Sequence, residues 1–441
     1  MSAARSTPRT REGLPILPGQ LPFVGHLLRT TEDLPVLFEE ATRELGPQFW
    51  MKLSDWVLVC SGQEAFDLLK NRTTTSAHYK DVAKHFIGES LLGADGGLHR
   101  RMRGAMNGPF TPRGITSSGA AELSAEVIED RVGRFDERSI AVHDETQTVA
   151  LHIVFRVMDI PASDLDAWTR KYQQFLLTIF PIKLDLPGTP RRRGREAGLW
   201  LDDRFRAIMA STARSAENAG IVGALLAARD EDGQGLGERE LLDNLRLLAL
   251  AGHETTASTM AWLVLELSRR PELFDALVEE SLAAPHVPRS AKDLERHPFA
   301  EALFRETVRL YPPVGMISRR VLAPMKVGAY DAKPGVSLGV PLALFGRDPS
   351  LYPEPARFDP GRWTGKKSIT PLETAAFGGG PHFCLGYHFA WLETVQFAVA
   401  FARTMHARGV RPVLAPGTEL VRRYKPFAQP RGSRVVFEKR G

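Results

Sequence analysis

The stretch Phe377-Gly378-Gly379-Gly380-Pro381-His382-Phe383-Cys384-Leu385-Gly386 presents a single cysteine in a loop of glycines and one proline. A strongly apolar helical run follows, from about Tyr387 to Met405. Glycine lets a backbone turn tightly and approach a flat ligand closely. A thiolate at the mouth of a helix N-terminus is stabilised by the dipole and by open backbone N–H groups. Donation from those groups is the tuning a metal-bound sulfur needs. A second stretch, Ala251-Gly252-His253-Glu254-Thr255-Thr256, lies inside the longest helical run, Glu238 to Arg269. Glycine inside a helix costs roughly 1 kcal/mol relative to alanine, and here it can leave room beside a ligand. A threonine hydroxyl can bond back to a carbonyl one turn earlier and distort the helix. An acid beside an alcohol in such a notch can position water and deliver protons. A third pattern, Glu306-Thr307-Val308-Arg309, sets an acid and a base at i, i+3 on one helix face.

Taken singly, each stretch has a plainer reading: a glycine-rich turn with an inert cysteine, a polar N-cap between two helices, a surface ion pair worth about 0–1 kcal/mol. The apolar pattern that continues to Leu267 argues against the N-cap. In this order and together, the stretches resemble the cytochrome P-450 monooxygenases. The cysteine loop meets every fixed position of the signature Phe-x-x-Gly-x-x-x-Cys-x-Gly. Ala251 to Thr255 matches Ala/Gly-Gly-x-Asp/Glu-Thr, with His253 at the variable position. Glu306-x-x-Arg309, followed by Leu310-Tyr311-Pro312-Pro313, matches Glu-x-x-Arg, and Pro355-Ala356-Arg357-Phe358 matches Pro-x-Arg-Phe.

The resemblance implies haem b with Cys384 as the thiolate ligand of its iron. Such a ligand pushes electron density toward bound oxygen. Phe377 and Gly386 would belong to the same cofactor-binding loop. Glu254 and Thr255 would be the catalytic acid–alcohol pair. Glu306, Arg309 and Arg357 would form a buried structural network, since an isolated buried charge is costly. The two haem propionates need cations and donors. The resemblance offers His99, Arg103, Arg320 and His382 for them, with Arg319 competing with Arg320.

Substrate selectivity in the family resides in variable segments, whose content here is apolar and aromatic. Phe86, Ile179, Phe180, Leu248, Ala251, Val314, Met316, Ile317 and Phe427 are the expected pocket residues. Such a lining suits a lipophilic substrate, although any one of these side chains can equally be plain core. The segment Phe180 to Thr189 resembles the loop of members acting on retinoids, sterols and related terpenoids, so a terpenoid, fatty-acid or polyketide-like substrate is expected. The expected reaction is hydroxylation or epoxidation with O2. Electrons would come from a separate ferredoxin or flavodoxin and its reductase, because no flavin or iron–sulfur segment follows. The alternatives are a peroxide-dependent or isomerising haem-thiolate enzyme and, outside catalysis, a haem gas sensor.

The elements that must hold these residues are mostly helices. Helices are expected at Leu34–Leu45, from Ser61 to Leu69, from His99 toward Pro109, from Ala120 to Asp159 with a break near Arg138, and over Asp164–Phe180. A basic helix start at Arg191–Arg195, a further helix over Trp200–Ser215, and helices over Glu238–Arg269, Pro271–Ala284 and Glu301–Leu310 follow. Strands are expected at Phe49–Leu53, Val57–Cys60, Arg320–Val321, Met325–Val327, Val336–Leu338, Val413–Leu414 and Val435–Phe437. The sum is a mainly α fold with small β-sheets. The resemblance makes it the cytochrome P-450 fold, with haem between the long central helix and the cysteine loop with its following helix. A basic tail, residues 1–13, is expected to be disordered, and residues 14–441 to form one haem domain.

The chain has 441 residues, of which 57 are basic and 52 acidic, giving a net charge of only +5. That balance is too weak to argue nucleic-acid binding. The two cysteines, Cys60 and Cys384, lie far apart in unlike contexts, so no disulfide is expected. Cys60 closes the apolar run Trp56–Cys60 and reads as a small core residue. No N-terminal stretch is apolar and long enough to be a membrane anchor. A cytoplasmic, monomeric, bacterial-type protein is the resulting expectation.

Overall fold

The computed structural model describes residues 9–80, 88–179, 185–214, 220–230, 232–366, 368–424 and 427–440. The longer helices, in chain order, are α1 Leu34–Leu45, α2 Gly62–Leu68, α3 Gly96–Asn107, α4 Ala120–Gly133, α5 Val142–Val157 and α6 Leu165–Leu176. Then come α7 Pro190–Arg214, α8 Gly220–Ala227, α9 Glu238–Arg269, α10 Pro271–Ala283, α11 Pro298–Leu310 and α12 Tyr387–Ala407. Cα packing divides the chain into two compact units. One comprises residues 1–76, 305–384 and 419–432; the other comprises residues 77–304, 385–418 and 433–441.

The first unit is built on a five-stranded sheet in the order Gln48–Lys52, Trp56–Cys60, Ser337–Val340, Ile317–Val321, Thr74–Thr75. All neighbours are antiparallel except Trp56–Cys60 with Ser337–Val340. Side chains alternate across a strand, and here both faces are apolar. Trp50, Leu58 and Leu338 enter one core with Phe66, Tyr330 and Phe345. Phe49, Met51 and Val59 enter another with Leu37, Phe38 and Tyr424. Trp50 meets Tyr330 edge-on at 5.6 Å between ring centres.

The second unit is helical. α9 is 32 residues long, about 48 Å at the rise of an α-helix. Its start is capped where the backbone N–H of Gly237 donates to Glu240 Oε2 at 2.9 Å. At its end, the buried Glu266 carboxylate takes Arg269 and Arg270. α5 packs along α9, and α12 packs against α4, α9 and α10. A three-stranded sheet, Val410–Leu414, Arg434–Lys439 and Ser139–Ala141, closes this unit.

Two expectations are revised. The break near Arg138 is a strand, Ser139–Ala141, recruited as an edge by Arg434–Lys439. The basic start at Arg191–Arg195 and the helix over Trp200–Ser215 are one continuous helix, α7. The glycines between them serve close packing. A Cβ on Gly194 would lie 2.7 Å from Thr178 Cγ2, and one on Gly198 would lie 3.2 Å from the Phe175 ring. The hairpins Met325–Val327 with Tyr330–Ala332 and Val421–Tyr424 with Ala428–Arg431 include strands the sequence did not announce.

Candidate active site

The cysteine loop is two single 3-10 turns, Ala375–Phe377 and Gly380–His382. It is pressed onto the end of α2. Gly380 has φ +61°, and a Cβ there would stand 2.4 Å from the carbonyl oxygen of Leu69. Only glycine meets both demands. The Cys384 backbone N–H donates to Phe377 O at 2.9 Å, which closes the loop. Phe377 and Phe383 lie 6.4 Å apart between ring centres, and both are half-buried, as is Cys384. His382 Nε2 lies 3.4 Å from Ser76 Oγ. Gly386 has an ordinary φ of −86° and sits at the N-cap of α12. Cys60 is different in kind: burial pushes its thiol up to about 12, and its sulfur contacts Gln48 and the Leu58 carbonyl.

α9 is buried almost throughout from Leu241 to Ser268. The exceptions are Leu247, Leu248, Leu250, Ala251, Gly252 and Thr255. Their spacing of three and four marks one stripe on the helix. On that stripe the Thr255 hydroxyl donates back to Ala251 O, the local distortion expected of threonine in a helix. The space expected at Gly252 is instead used for packing, since a Cβ there would lie 2.9 Å from Val154 Cγ2 of α5. Glu254 is buried, and Gln147 Nε2 donates to both its oxygens at 3.4 Å. His253 Nδ1 is 3.7 Å from Glu254 Oε1. Burial pulls the His253 imidazole down to about 3.

Thr256 points elsewhere: its hydroxyl donates to Glu393 Oε1 of α12 at 2.7 Å. Glu393 is 2% exposed, and burial pushes its carboxyl up to about 8. This residue escaped the sequence reading. Its signal was an acid inside the apolar run from Tyr387 to Met405.

The candidate propionate partners fall in both units. His99 and Arg103 belong to the helical unit, at i, i+4 on α3, with His99 buried and Arg103 half-buried. Arg320 and His382 belong to the sheet-bearing unit. Arg319 and Arg320 project to opposite faces of the strand Ile317–Val321; Arg319 is buried, Arg320 half-buried.

Glu306 is fully buried and fully bonded. Arg309 Nε and Nη2 donate to its two oxygens, each at 2.7 Å. The Asp359 N–H and Trp363 Nε1 donate to it at 2.7 and 2.9 Å. Arg309 also donates to the carbonyls of Gly346, Pro355 and Arg357. The expected third member is corrected. The Arg357 side chain is 64% exposed and pairs with Glu354 at 3.4 Å; only its carbonyl joins the network. Arg362, 13% exposed, brings Nε within 3.4 Å of Glu306. Arg357 sits before the chain turns inward at Asp359, so its side chain stays in water.

Of the expected pocket residues, Leu248 and Ala251 lie on the open stripe of α9. Val314 and Ile317 pack at the edge of the Trp50 core, and Met316 against the Phe49 core. Phe427 is half-buried. Phe86, Phe180 and the Ile179 side chain lie outside the described residues.

The sequence profile of the cytochrome P450 family matches residues 15–404. The chain belongs to the cytochrome P450 family. It is 42% identical over 426 residues to cytochrome P450 BJ-4 homolog of Sinorhizobium fredii, covering 96% of this chain and 95% of the relative. It is equally 42% identical to cytochrome P450 BJ-4 of Bradyrhizobium diazoefficiens, with the same coverage. Among solved structures it resembles retinoic acid-bound cyanobacterial CYP120A1, with TM-score 0.84, 25% identity, and coverage of 96% of this chain and 99% of that one.

This cytochrome P450 is therefore a haem-thiolate monooxygenase, an oxidoreductase that uses haem b, O2, a redox partner and a lipophilic substrate. The residues present fit the cofactor. The Cys384 thiol stands half-buried in a glycine-rich loop that Phe377 and Phe383 also line, while the second cysteine is inert in a core. Haem b, when bound, supplies the iron that activates O2. Cys384 would hold that iron, and His99, Arg103, Arg320 and His382 are the candidates for its propionates. No helix among the described residues is long and apolar enough to cross a membrane.

Proposed function

We propose that this cytochrome P450 hydroxylates or epoxidises an elongated apolar molecule, an isoprenoid-like or fatty chain, with electrons from a ferredoxin or flavodoxin. Cys384 holds the iron. Glu254 and Thr255 manage protons. His99, Arg103, Arg320 and His382 hold the propionates, and the half-buried position of Arg320 favours it over Arg319. The observation that carries the substrate class is the open stripe on α9. In a helix mostly buried, Leu247, Leu248, Leu250 and Ala251 leave apolar surface partly exposed near Thr255, and apolar surface of that kind binds apolar ligands. The likeness to a retinoic acid-bound P450 supports the same class. The Glu254–Thr255 pair favours O2 over peroxide, because a ready-made peroxide needs less proton handling.

The test has two parts. Retinoids, linear terpenoids, fatty acids and polyketides are titrated while the haem absorption is followed; the compound that displaces the water on iron is then turned over and its product identified by mass. Binding confined to polar compounds would remove the substrate class. For the pair, Thr255→Ala should bind substrate normally yet yield less product and more hydrogen peroxide per reductant consumed. Thr256→Ala should do this far less, since its hydroxyl is committed to Glu393. Equal product yield in wild type and Thr255→Ala would take Thr255 out of the mechanism.

A further inference from the structure

Glu254 is buried, so any proton it passes on must be replaced from water through the protein. The helix contact beside it carries two imidazoles. His253 on α9 is 3% exposed, and its Nδ1 faces Glu254 Oε1 at 3.7 Å. His143 lies on α5, the helix that packs along α9. It is half-buried, with exposed Asp144 as its neighbour in sequence. Gln147, one turn further along α5, donates to both Glu254 oxygens. The i, i+4 relation therefore puts His143 on the α5 face that meets Glu254. His143 is also near enough for its charge to disfavour a charge on His253. Both ring nitrogens of His143, and Nδ1 of His253, are buried and make no hydrogen bond among the described residues.

We propose that His143 and His253 form a proton relay that recharges Glu254 from solvent along the α5–α9 contact. The proposal rests on the reading of Glu254 as a proton donor. In each step an imidazole takes a proton on one ring nitrogen and releases the other nitrogen's proton inward, so neither ring changes net charge. The last hop runs from His253 Nδ1 to Glu254 Oε1, 3.7 Å apart. Among the described residues, Asp144 of α5 stands next to His143 in sequence, and Tyr172 of α6 lies beside His253. The Tyr172 ring stands 6.2 Å from the His253 ring, and its hydroxyl donates to Arg246 O at 3.4 Å. Burial and the nearby Glu254 hold that phenol well above its ordinary value, and Arg246 pairs with Asp202 and Asp243, so neither competes for the proton. The low affinity of buried His253 for a proton suits a carrier that releases what it receives.

The experiment uses the haem-loaded protein, labelled with 15N in histidine and held in its diamagnetic ferrous carbon monoxide form. Exchange of the His253 ring N–H with water is measured in wild type and in His143→Gln, a change of a half-buried side chain near the start of α5. Turnover coupling and its solvent deuterium isotope effect are measured alongside, and again in His253→Gln. Removing a relay member should slow the N–H exchange by roughly fivefold or more, lower coupling and enlarge the isotope effect. Exchange in His143→Gln less than about fivefold slower than in wild type would overturn the relay. Glu254→Gln separates the two readings: full coupling in that variant would remove Glu254 from catalysis, whereas the exchange rate at His253 reports the relay itself.

Discussion

Two cysteines of one chain differ here by their surroundings alone. Cys60, at 1% exposure, has its thiol raised by burial and stays neutral. Cys384 stands half-buried in a loop that ends at a helix N-terminus. Cys384→Ser should abolish the red-shifted absorption of thiolate-ligated ferrous carbon monoxide haem, and Cys60→Ser should keep it; the reverse result would refute the assignment. Glu393 gives a second prediction at this scale. Its carboxyl rises from 4.5 to about 8 on folding. The folded state therefore binds a proton that the unfolded chain has lost between those values. Stability falls as pH rises through that window and levels off above it. Glu393→Gln keeps the bond from Thr256 without the charge. Near pH 4 the variant and wild type should be about equally stable to urea; at pH 8 to 9 the variant should be more stable, by an amount on the order of a few kcal/mol. A gap that shrinks with rising pH would show that Glu393 is not the group concerned.

At the scale of elements, the buried carboxylate of Glu306 ties α11 to the segment at Asp359, Arg362 and Trp363. Removing one partner of a buried pair leaves an uncompensated charge and costs about 3–5 kcal/mol. Glu306→Ala should lose that much in urea unfolding, or fail to fold. Arg357→Ala should change stability by less than about 0.5 kcal/mol, because its exposed pair with Glu354 is of the weak kind. Arg362→Ala should fall between them. Comparable losses for Arg357→Ala and Arg362→Ala would restore the sequence expectation. That expectation failed for a plain reason: Pro-x-Arg-Phe names a residue, and whether its side chain or its carbonyl enters the network depends on how the loop turns.

At the scale of the whole molecule, the cofactor is part of the folding balance, since a group bound by the native state alone adds stability. Extracting haem should lower Tm, and reloading should restore it. His99→Ala, Arg103→Ala, Arg320→Ala and His382→Ala should each lose haem faster to a scavenger protein while leaving product identity unchanged. Full haem retention in all of them would disprove the propionate assignments. Arg319→Ala is the contrast, because Arg319 lies on the buried face of its strand.

What the sequence determined by itself was whatever is local or periodic. The helix at Leu34–Leu45, the 32-residue helix α9 and the helix after Cys384 follow from apolar spacing and caps. The turns at Gly378 and Gly380 were legible because a positive φ is a local need, and Thr255 because its back-bond is one turn long; that Gly380 also lies against the Leu69 carbonyl was not. What only the tertiary structure decided joins residues distant in sequence. The strand Ser139–Ala141 exists because Arg434–Lys439 pairs with it. α7 runs through Gly194 because α6 needs the room. Glu393 is neutral near pH 7 because α9 and α12 bury it beside Thr256. Arg362, not Arg357, faces Glu306 because of a turn at Asp359. Burial and hydrogen bonding set these properties, and both belong to neighbours that a local pattern does not contain.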